Sequence, residues 1–380
     1  MLVVSEEIER STKENIMKRY GFIFEKIVTM ENLREAHLRA REDKHFYKEV
    51  KMVDSDPDFY LEEIRKMLTD ETYEVSPYEV STINDKGKER QLMKLPYFPD
   101  RIIQWAIMLQ IEKIFLEVMC DHVCASIPDR GIKHAGNLTK RYVRKSKYCL
   151  KMDVKKFYPS INHAILKRLL RRKIKDPALL RLLDKIVDSY PGEAGVPIGS
   201  YLSQYLANFY LAWFDHWLRE EKGVSMMVRY MDDIAIFSND KEYLHRLNRE
   251  IQEHLADQYR LTIKGNWQVF PVEIRGVDFV GYRFFPKYIL LRKKTCKRFK
   301  ALFNQILYKQ EHKQMINYHQ FCAANSYIGW LMWCDSWRLF HKYVFPVIDS
   351  LIAYYYKVIN TDVRGYYRKI IRKRGRCSAW

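Results

Sequence analysis

Asp232 and Asp233 stand side by side between two apolar runs, Met226-Met-Val-Arg-Tyr230 before them and Ile234-Ala-Ile-Phe237 after. Short runs rich in β-branched and aromatic residues on either side of a tight polar step read as a hairpin with the acids at its tip. Like charges on neighbouring residues repel unless a cation sits between them. An ordinary polar turn is the competing reading, because Asp is a common turn residue. A third carboxylate, Asp153, closes another apolar strand, Cys149-Leu-Lys-Met-Asp153-Val154, and neighbouring strands of one sheet would bring it beside the pair. Three oxygen donors suit Mg²⁺, which takes few carboxylates and completes its octahedron with waters and substrate phosphates. Two such ions stabilise the attacking and leaving oxygens of phosphoryl transfer.

Charge narrows the partners. The chain has 380 residues, and 66 Lys and Arg against 47 Asp and Glu leave a net +19. That surplus predicts a polyanion, and 27 Tyr with 8 Trp offer flat faces on which bases stack. Nucleic acid is therefore expected, and a membrane is not. The start, Met1-Leu-Val-Val-Ser-Glu-Glu7, lacks a basic leader, and the most apolar stretch, Ile102 to Phe115, is broken by Gln104, Gln110, Glu112 and Lys113. A soluble, unsecreted protein is expected, with its seven Cys reduced. Cys120-x-His122-x-Cys124 lacks a second ligand pair nearby and reads as helix-end residues more readily than as a zinc site.

Along the chain, residues 1 to about 70 read as helical with charged faces. Tyr73 to Leu95 reads as a hairpin turning at Asn84-Asp-Lys-Gly87. A core helix is expected from Pro99-Asp100, with Asp100 as a possible N-cap and Ile102, Ala106, Leu109 and Ile114 at helical spacing. The basic stretch Lys140 to Lys147 could track a phosphate backbone. A basic helix over Asn162 to Arg172, one long helix over Tyr201 to Glu221, a helix over Lys241 to Tyr259 and strands near Leu261–Lys264 and Val277–Arg283 complete the pattern of an α+β domain. From Arg292 onward the chain reads as helical, basic and aromatic, ending in a run of Arg and Lys.

Tyr230-Met-Asp232-Asp233, with Asp153 upstream, resembles the reverse transcriptases. The resemblance runs from about residue 30 to about 345, and its blocks keep the family's order. Lys88-Glu-Arg90 and Pro99-Asp-Arg-Ile-Ile-Gln104 look like fingers blocks, and Asp153-Val-Lys-Lys-Phe-Tyr158 looks like the first palm block. Gly195-Val-Pro-Ile-Gly199, a strand ending at Lys264, and Val277-Asp-Phe-Val-Gly281-Tyr282 as the primer grip follow. The resemblance implies a right-hand polymerase with an N-terminal helical extension at 1–30, fingers at 31–149 with a palm helix near 101–118, a palm of antiparallel sheet plus helices at 150–285, and a helical thumb with a basic tail at 286–380. It also implies that Asp153, Asp232 and Asp233, with the Val154 carbonyl, hold two Mg²⁺ ions, for which Mn²⁺ can substitute. Lys88, Arg90, Tyr158, Ile198, Gly199 and Lys264 would then line the nucleotide, Tyr158 lying under the deoxyribose and excluding a 2′-hydroxyl.

One block departs from most of the family. Where Gln-Gly-x-x-x-Ser-Pro is usual, the chain has Ile198-Gly199-Ser-Tyr-Leu-Ser203-Gln204, which resembles the reverse transcriptases of diversity-generating retroelements. Ile can neither donate nor accept a hydrogen bond, so a polar check beside the nascent base pair is lost, and Ile198 and Gln204 become the fidelity residues. The segments Asn325–Leu331 and Asp335–Leu339 look like that group's thumb. The implied partners are template RNA, primer and cDNA, dNTPs and a retroelement-encoded accessory protein, in the cytoplasm of a prokaryote or of a phage's host. Fewer than about fifty residues follow the thumb, short for a further domain, which speaks against a full group II intron protein. The alternatives are the enzyme of a group II intron, a retron or an antiphage system, or a non-catalytic RNA-binding relative.

Overall fold

The computed structural model describes residues 18–85 and 88–359, with the side chains at 83–91, 356, 358 and 359 outside the description. Helices and sheets are mixed, giving an α+β fold. Among the described residues three sheets form: the hairpin β1 (Glu79–Asp85) with β2 (Lys88–Lys94); a four-stranded sheet of β3 (Tyr148–Asp153), β4 (Met227–Tyr230), β5 (Asp233–Ser238) and β6 (Gln268–Pro271) in the order β4-β5-β3-β6; and a three-stranded meander of β7 (Val277–Phe279), β8 (Tyr282–Phe284) and β9 (Ile289–Leu291).

The chain divides into two compact units. One comprises the described part of Met1–Ala135 with Leu150–Ile236 and Asp240–Val269; the other comprises Gly136–Cys149, Phe237–Asn239 and the described part of Phe270–Trp380.

In the first unit the helix Ile102–Leu116 is the hub. Ile102, Ile103, Ala106, Ile107, Ile111 and Phe115 are all fully buried, so the helix is apolar on nearly every side, as a central core helix must be. Burying each such side chain contributes about 1.5–3 kcal/mol. The surrounding helices start where the sequence supplies caps. Thr29, Asp56, Asn162, Asp176 and Asp240 each accept a backbone N–H of the first turn, and Pro57 and Pro177 occupy first-turn positions where no N–H is missed.

The expected N-cap role of Asp100 is not realised. Its carboxylate is buried and accepts from the Tyr73 hydroxyl at 2.7 Å and the Ser76 N–H at 3.1 Å, while the regular helix begins two residues later without a side-chain cap. The strand pattern expected from Tyr73 begins only at Glu79 for the same reason, because Tyr73 and Ser76 are held by Asp100. The long helix expected over 201–221 breaks at Leu211 (φ −98°, ψ 2°) into Tyr201–Tyr210 and Ala212–His216, followed by a wider turn over Trp217–Glu221. The Leu211 N–H reaches back only three residues, to the Asn208 carbonyl at 3.2 Å. Lys241–Tyr259 is a helix as expected. Leu261–Lys264 makes a single antiparallel bridge, Val154 to Ile263, rather than a strand.

In the second unit, β7, β8 and β9 pair antiparallel and the chain continues through the helices Lys293–Glu311, Tyr318–Leu331 and Ile348–Ile359. Asn317 and Gln320 close a reciprocal capping box on the second of these. The strand expected over 277–283 is two strands joined at Val280-Gly281, and β6 and β9 were not anticipated, being only four and three residues long. The terminal Arg and Lys run falls outside the described residues.

Candidate active site

The acidic hairpin forms by exact two-residue closure. Tyr230 pairs with Asp233, leaving Met231 and Asp232 as the loop, so Asp233 is the first residue of β5 rather than part of the tip. Such tight hairpins need a positive φ, which Met231 adopts at 56°. The Asp232 carbonyl accepts the Val154 N–H at 3.1 Å, which docks the tip against the end of β3. The Val154 N–H, together with its bridge to Ile263, is what ties this residue to the site.

Asp232 and Asp153 lie within hydrogen-bonding reach of each other. Burial, then the Asp153 charge, push the Asp232 carboxyl above the usual carboxylate range, with Lys264 pulling the other way. Asp153 forms an ion pair with Lys264, whose own N–H donates to the Asp153 carbonyl at 2.9 Å. Asp233 forms an ion pair with Lys151. Lys151 is two residues before Asp153 on β3, hence on the same face of the strand. Among the described residues no three His, Cys, Asp or Glu side chains converge in metal-ligating geometry. The donor chemistry at Asp153 and Asp232 nevertheless fits a divalent cation: two carboxylates are held together against their mutual repulsion, one of them largely desolvated. Asp233 is turned to Lys151 instead.

Tyr158 sits half-buried with its hydroxyl 3.8 Å from the Met231 sulfur, and its carbonyl accepts the Val196 N–H at 3.1 Å. Burial first, and the Asp232 charge second, push its phenol up to about 12, so it is neutral at any working pH. Ile198, Gly199 and Gln204 line a cleft of about 710 Å³ with Lys48, Arg101 and Trp105 among the other walls. Gly199 has φ +110° with open space around it, a conformation that a side chain would strain. Gln204 is not free to face the cleft with its oxygen, which accepts from Ser126 at 2.7 Å. Trp105 stacks on Tyr201 at 4.4 Å, and the Tyr201 hydroxyl donates to Glu112 at 2.9 Å, stiffening that wall. The side chains of Lys88 and Arg90 lie outside the described residues.

Gly281 and Tyr282 belong to the second unit. A Cβ on Gly281 would stand 2.1 Å from the Trp330 ring, and Gly281 has φ +89°, so glycine is required there. Tyr282 is buried, stacked on Trp330 at 5.2 Å, and donates its hydroxyl to the Trp330 carbonyl at 3.2 Å. It packs the strand in place rather than presenting a hydroxyl outward.

Neither Lys151 nor the fully buried cluster of Arg229, Asp215 and Asn208 behind the hairpin belongs to any motif of the sequence. The available signal was a lone Arg inside the apolar strand Met227-Val-Arg-Tyr230, since charges are almost never fully buried unless paired. Asp215 is held below the usual carboxylate range: burial alone would raise it, but the Arg229 charge and the hydrogen bonds of His122 and Arg229 outweigh that. In the Cys120-x-His122-x-Cys124 stretch both cysteines are buried thiols pushed up to about 12 by desolvation, and His122 lies 3.4 Å from Asp215.

The chain is similar to the group II intron-encoded protein LtrA of Lactococcus lactis subsp. cremoris, at 25% identity over 233 residues covering 58% of this chain and 39% of that protein. It is also similar to protein YkfC of Escherichia coli (strain K12), at 23% identity over 246 residues covering 53% of this chain and 64% of that one. The chain therefore spans less than two thirds of the length of either relative. Apo telomerase from Candida tropicalis, truncated from its C-terminal domain, aligns with a TM-score of 0.42 at 14% identity, covering 57% of this chain and 56% of that one. No helix among the described residues is long and apolar enough to cross a membrane. Residues 82–284, which contain β3, the acidic hairpin and its supports, match the family described as reverse transcriptase (RNA-dependent DNA polymerase), and the chain belongs to that family.

Proposed function

We propose that the chain is an RNA-directed DNA polymerase of the diversity-generating type, copying a template RNA into cDNA with errors concentrated at template adenines. The observation that carries the polymerase reading is the docking of Asp232 against Asp153 by the Val154 hydrogen bond, inside the segment that matches the family. On this reading the two units contain the fingers, palm and thumb of a right-hand polymerase, with the boundaries near 30, 149 and 285 given above. Asp153 and Asp232 would hold Mg²⁺, with Asp233 released from Lys151 as the further candidate ligand. Two such ions held there would supply charge stabilisation for nucleotidyl transfer. The protein's own part is positioning: the hairpin aims Asp232, the bulk of Tyr158 under the sugar disfavours a 2′-hydroxyl, and Lys264 offers positive charge beside the nucleotide's phosphates.

The diversity-generating assignment rests on Ile198 at the cleft wall. An apolar side chain where a polar one is usual removes a hydrogen bond worth about 1 kcal/mol, enough to loosen discrimination several-fold. Mutagenic retrohoming, a retroelement-encoded accessory protein and a cytoplasmic setting in a prokaryote or phage-infected cell belong to the same proposal. The similarity to LtrA favours a second reading, a group II intron-type enzyme.

The deciding experiment is single-nucleotide extension of a DNA primer on RNA with Mg²⁺, comparing template adenine with the other three bases and using Asp232→Ala as the blank. Misincorporation chiefly at adenine is the expected result. Uniform accuracy at all four bases would keep the polymerase and transfer it to the second reading, while wild-type extension no greater than the blank would remove the polymerase reading.

A further inference from the structure

The Asp232 side chain points where two peptide planes send it, one on each side of its Cα. The plane after it is pinned by the Val154 N–H on the Asp232 carbonyl. The plane before it carries the Met231 carbonyl, and that oxygen accepts from Arg229 Nη1 at 3.0 Å. With both planes fixed, the direction of the Cα–Cβ bond is fixed. Without the second pin, a non-glycine residue at φ 56° would sit in a conformation that costs about 1–3 kcal/mol and persists only when its surroundings over-determine it.

Arg229 is built to serve as that pin. It is 0% exposed, and all five of its N–H groups have acceptors nearby. Nε donates to Asp215 Oδ1 at 2.9 Å and Nη2 to Asp215 Oδ2 at 2.6 Å, a two-point fork that fixes the guanidinium plane. Nη1 also donates to Asn208 Oδ1 at 3.1 Å, and Nη2 reaches the Asn208 carbonyl at 3.5 Å. Asn208 is tied in turn by its amide to the Ala125 carbonyl at 2.7 Å. Fork and amide leave one Nη1 proton, and it is the one aimed at Met231. A buried charge pair contributes little net stability compared with an apolar substitute, so stability alone does not account for a five-donor residue here.

The geometry points to Arg229 as the positioning residue for Asp232: locked by Asp215 and Asn208, its guanidinium holds the Met231 carbonyl and thereby aims the Asp232 carboxylate at Asp153. This deepens the polymerase reading and rests on it for its catalytic consequence. Lys cannot substitute, because a point ammonium on a flexible stem offers no planar fork.

The test uses the full chain and two variants, Arg229→Lys and the double variant Arg229→Met/Asp215→Leu, which removes both buried charges together. Four readouts are taken: thermal midpoint, Mn²⁺ binding by electron paramagnetic resonance, KM for dNTP, and single-turnover extension rate. A folded double variant should bind Mn²⁺ about 10- to 100-fold more weakly and extend slower by a similar factor, with KM for dNTP little changed, as for other groups that orient a metal ligand. Arg229→Lys should fold and show the same direction. Wild-type Mn²⁺ affinity and rate in either folded variant would overturn the assignment, and so would failure of both to fold, which would make the cluster purely structural. Mn²⁺ binding by a wild type that does not extend primers would still judge the aim of Asp232, so the two readings fail separately.

Discussion

At the residue scale, the site turns on which carboxylate meets which charge. Asp153 and Asp232 face each other, yet Lys264 and Lys151 sit on Asp153 and Asp233. Sequence order made the three acids legible, because a strand end and a hairpin tip are both readable from pattern. It did not make the lysine pairing legible, although Lys151 shares a strand face with Asp153 by simple alternation. Ile198 carries the sharpest residue-level prediction. Ile198→Gln should lower misincorporation opposite template adenine several-fold while leaving extension opposite other bases near wild type, measured by sequencing cDNA. Unchanged error spectra would remove Ile198 from the fidelity mechanism.

At the element scale, buried polar contacts decide where elements begin and how they respond to acid. His37, on the helix Met30–Ala40, is buried with Nε2 2.9 Å from Asp54 Oδ1 and Nδ1 2.8 Å from the Tyr97 hydroxyl. Burial lowers the His37 value below its ordinary one, against the opposing pull of Asp54. Asp54 is also lowered: burial would raise it, but Arg41 and His37 outweigh burial. Both groups therefore bind fewer protons folded than unfolded. Their contribution is complete above the unfolded His value of about 6.5 and is lost as pH falls through the lowered His37 value, with Asp54 adding its loss below about 3.9. Urea midpoints should accordingly drop between pH 7.5 and 5, at no more than about 1.4 kcal/mol per pH unit for one proton. In His37→Gln, which cannot titrate, that part of the drop should vanish, and an identical pH profile would show that His37 is not the group responsible.

At the scale of the whole molecule, charge and chain order were available from the start. The net +19 predicts that binding of a primer–template duplex is driven by counterion release. Raising salt from 50 to 200 mM should weaken binding by about 10³-fold or more if six or more phosphates are contacted, read by filter binding, and a flat salt response would contradict a polyanion-binding role. Local periodicity, turn chemistry and motif order were enough for the α+β class, the acidic hairpin, the helix over Lys241–Tyr259 and the resemblance to the family. Long-range packing settles that Asp100 serves Tyr73 instead of capping a helix, that the long helix breaks at Leu211, that Asp233 turns to Lys151, and that Arg229 stands behind Met231. Each of those outcomes is a choice of hydrogen-bond or ion-pair partner made far along the chain. A buried polar group takes whichever partner packing brings to it, and local sequence cannot say which one that is.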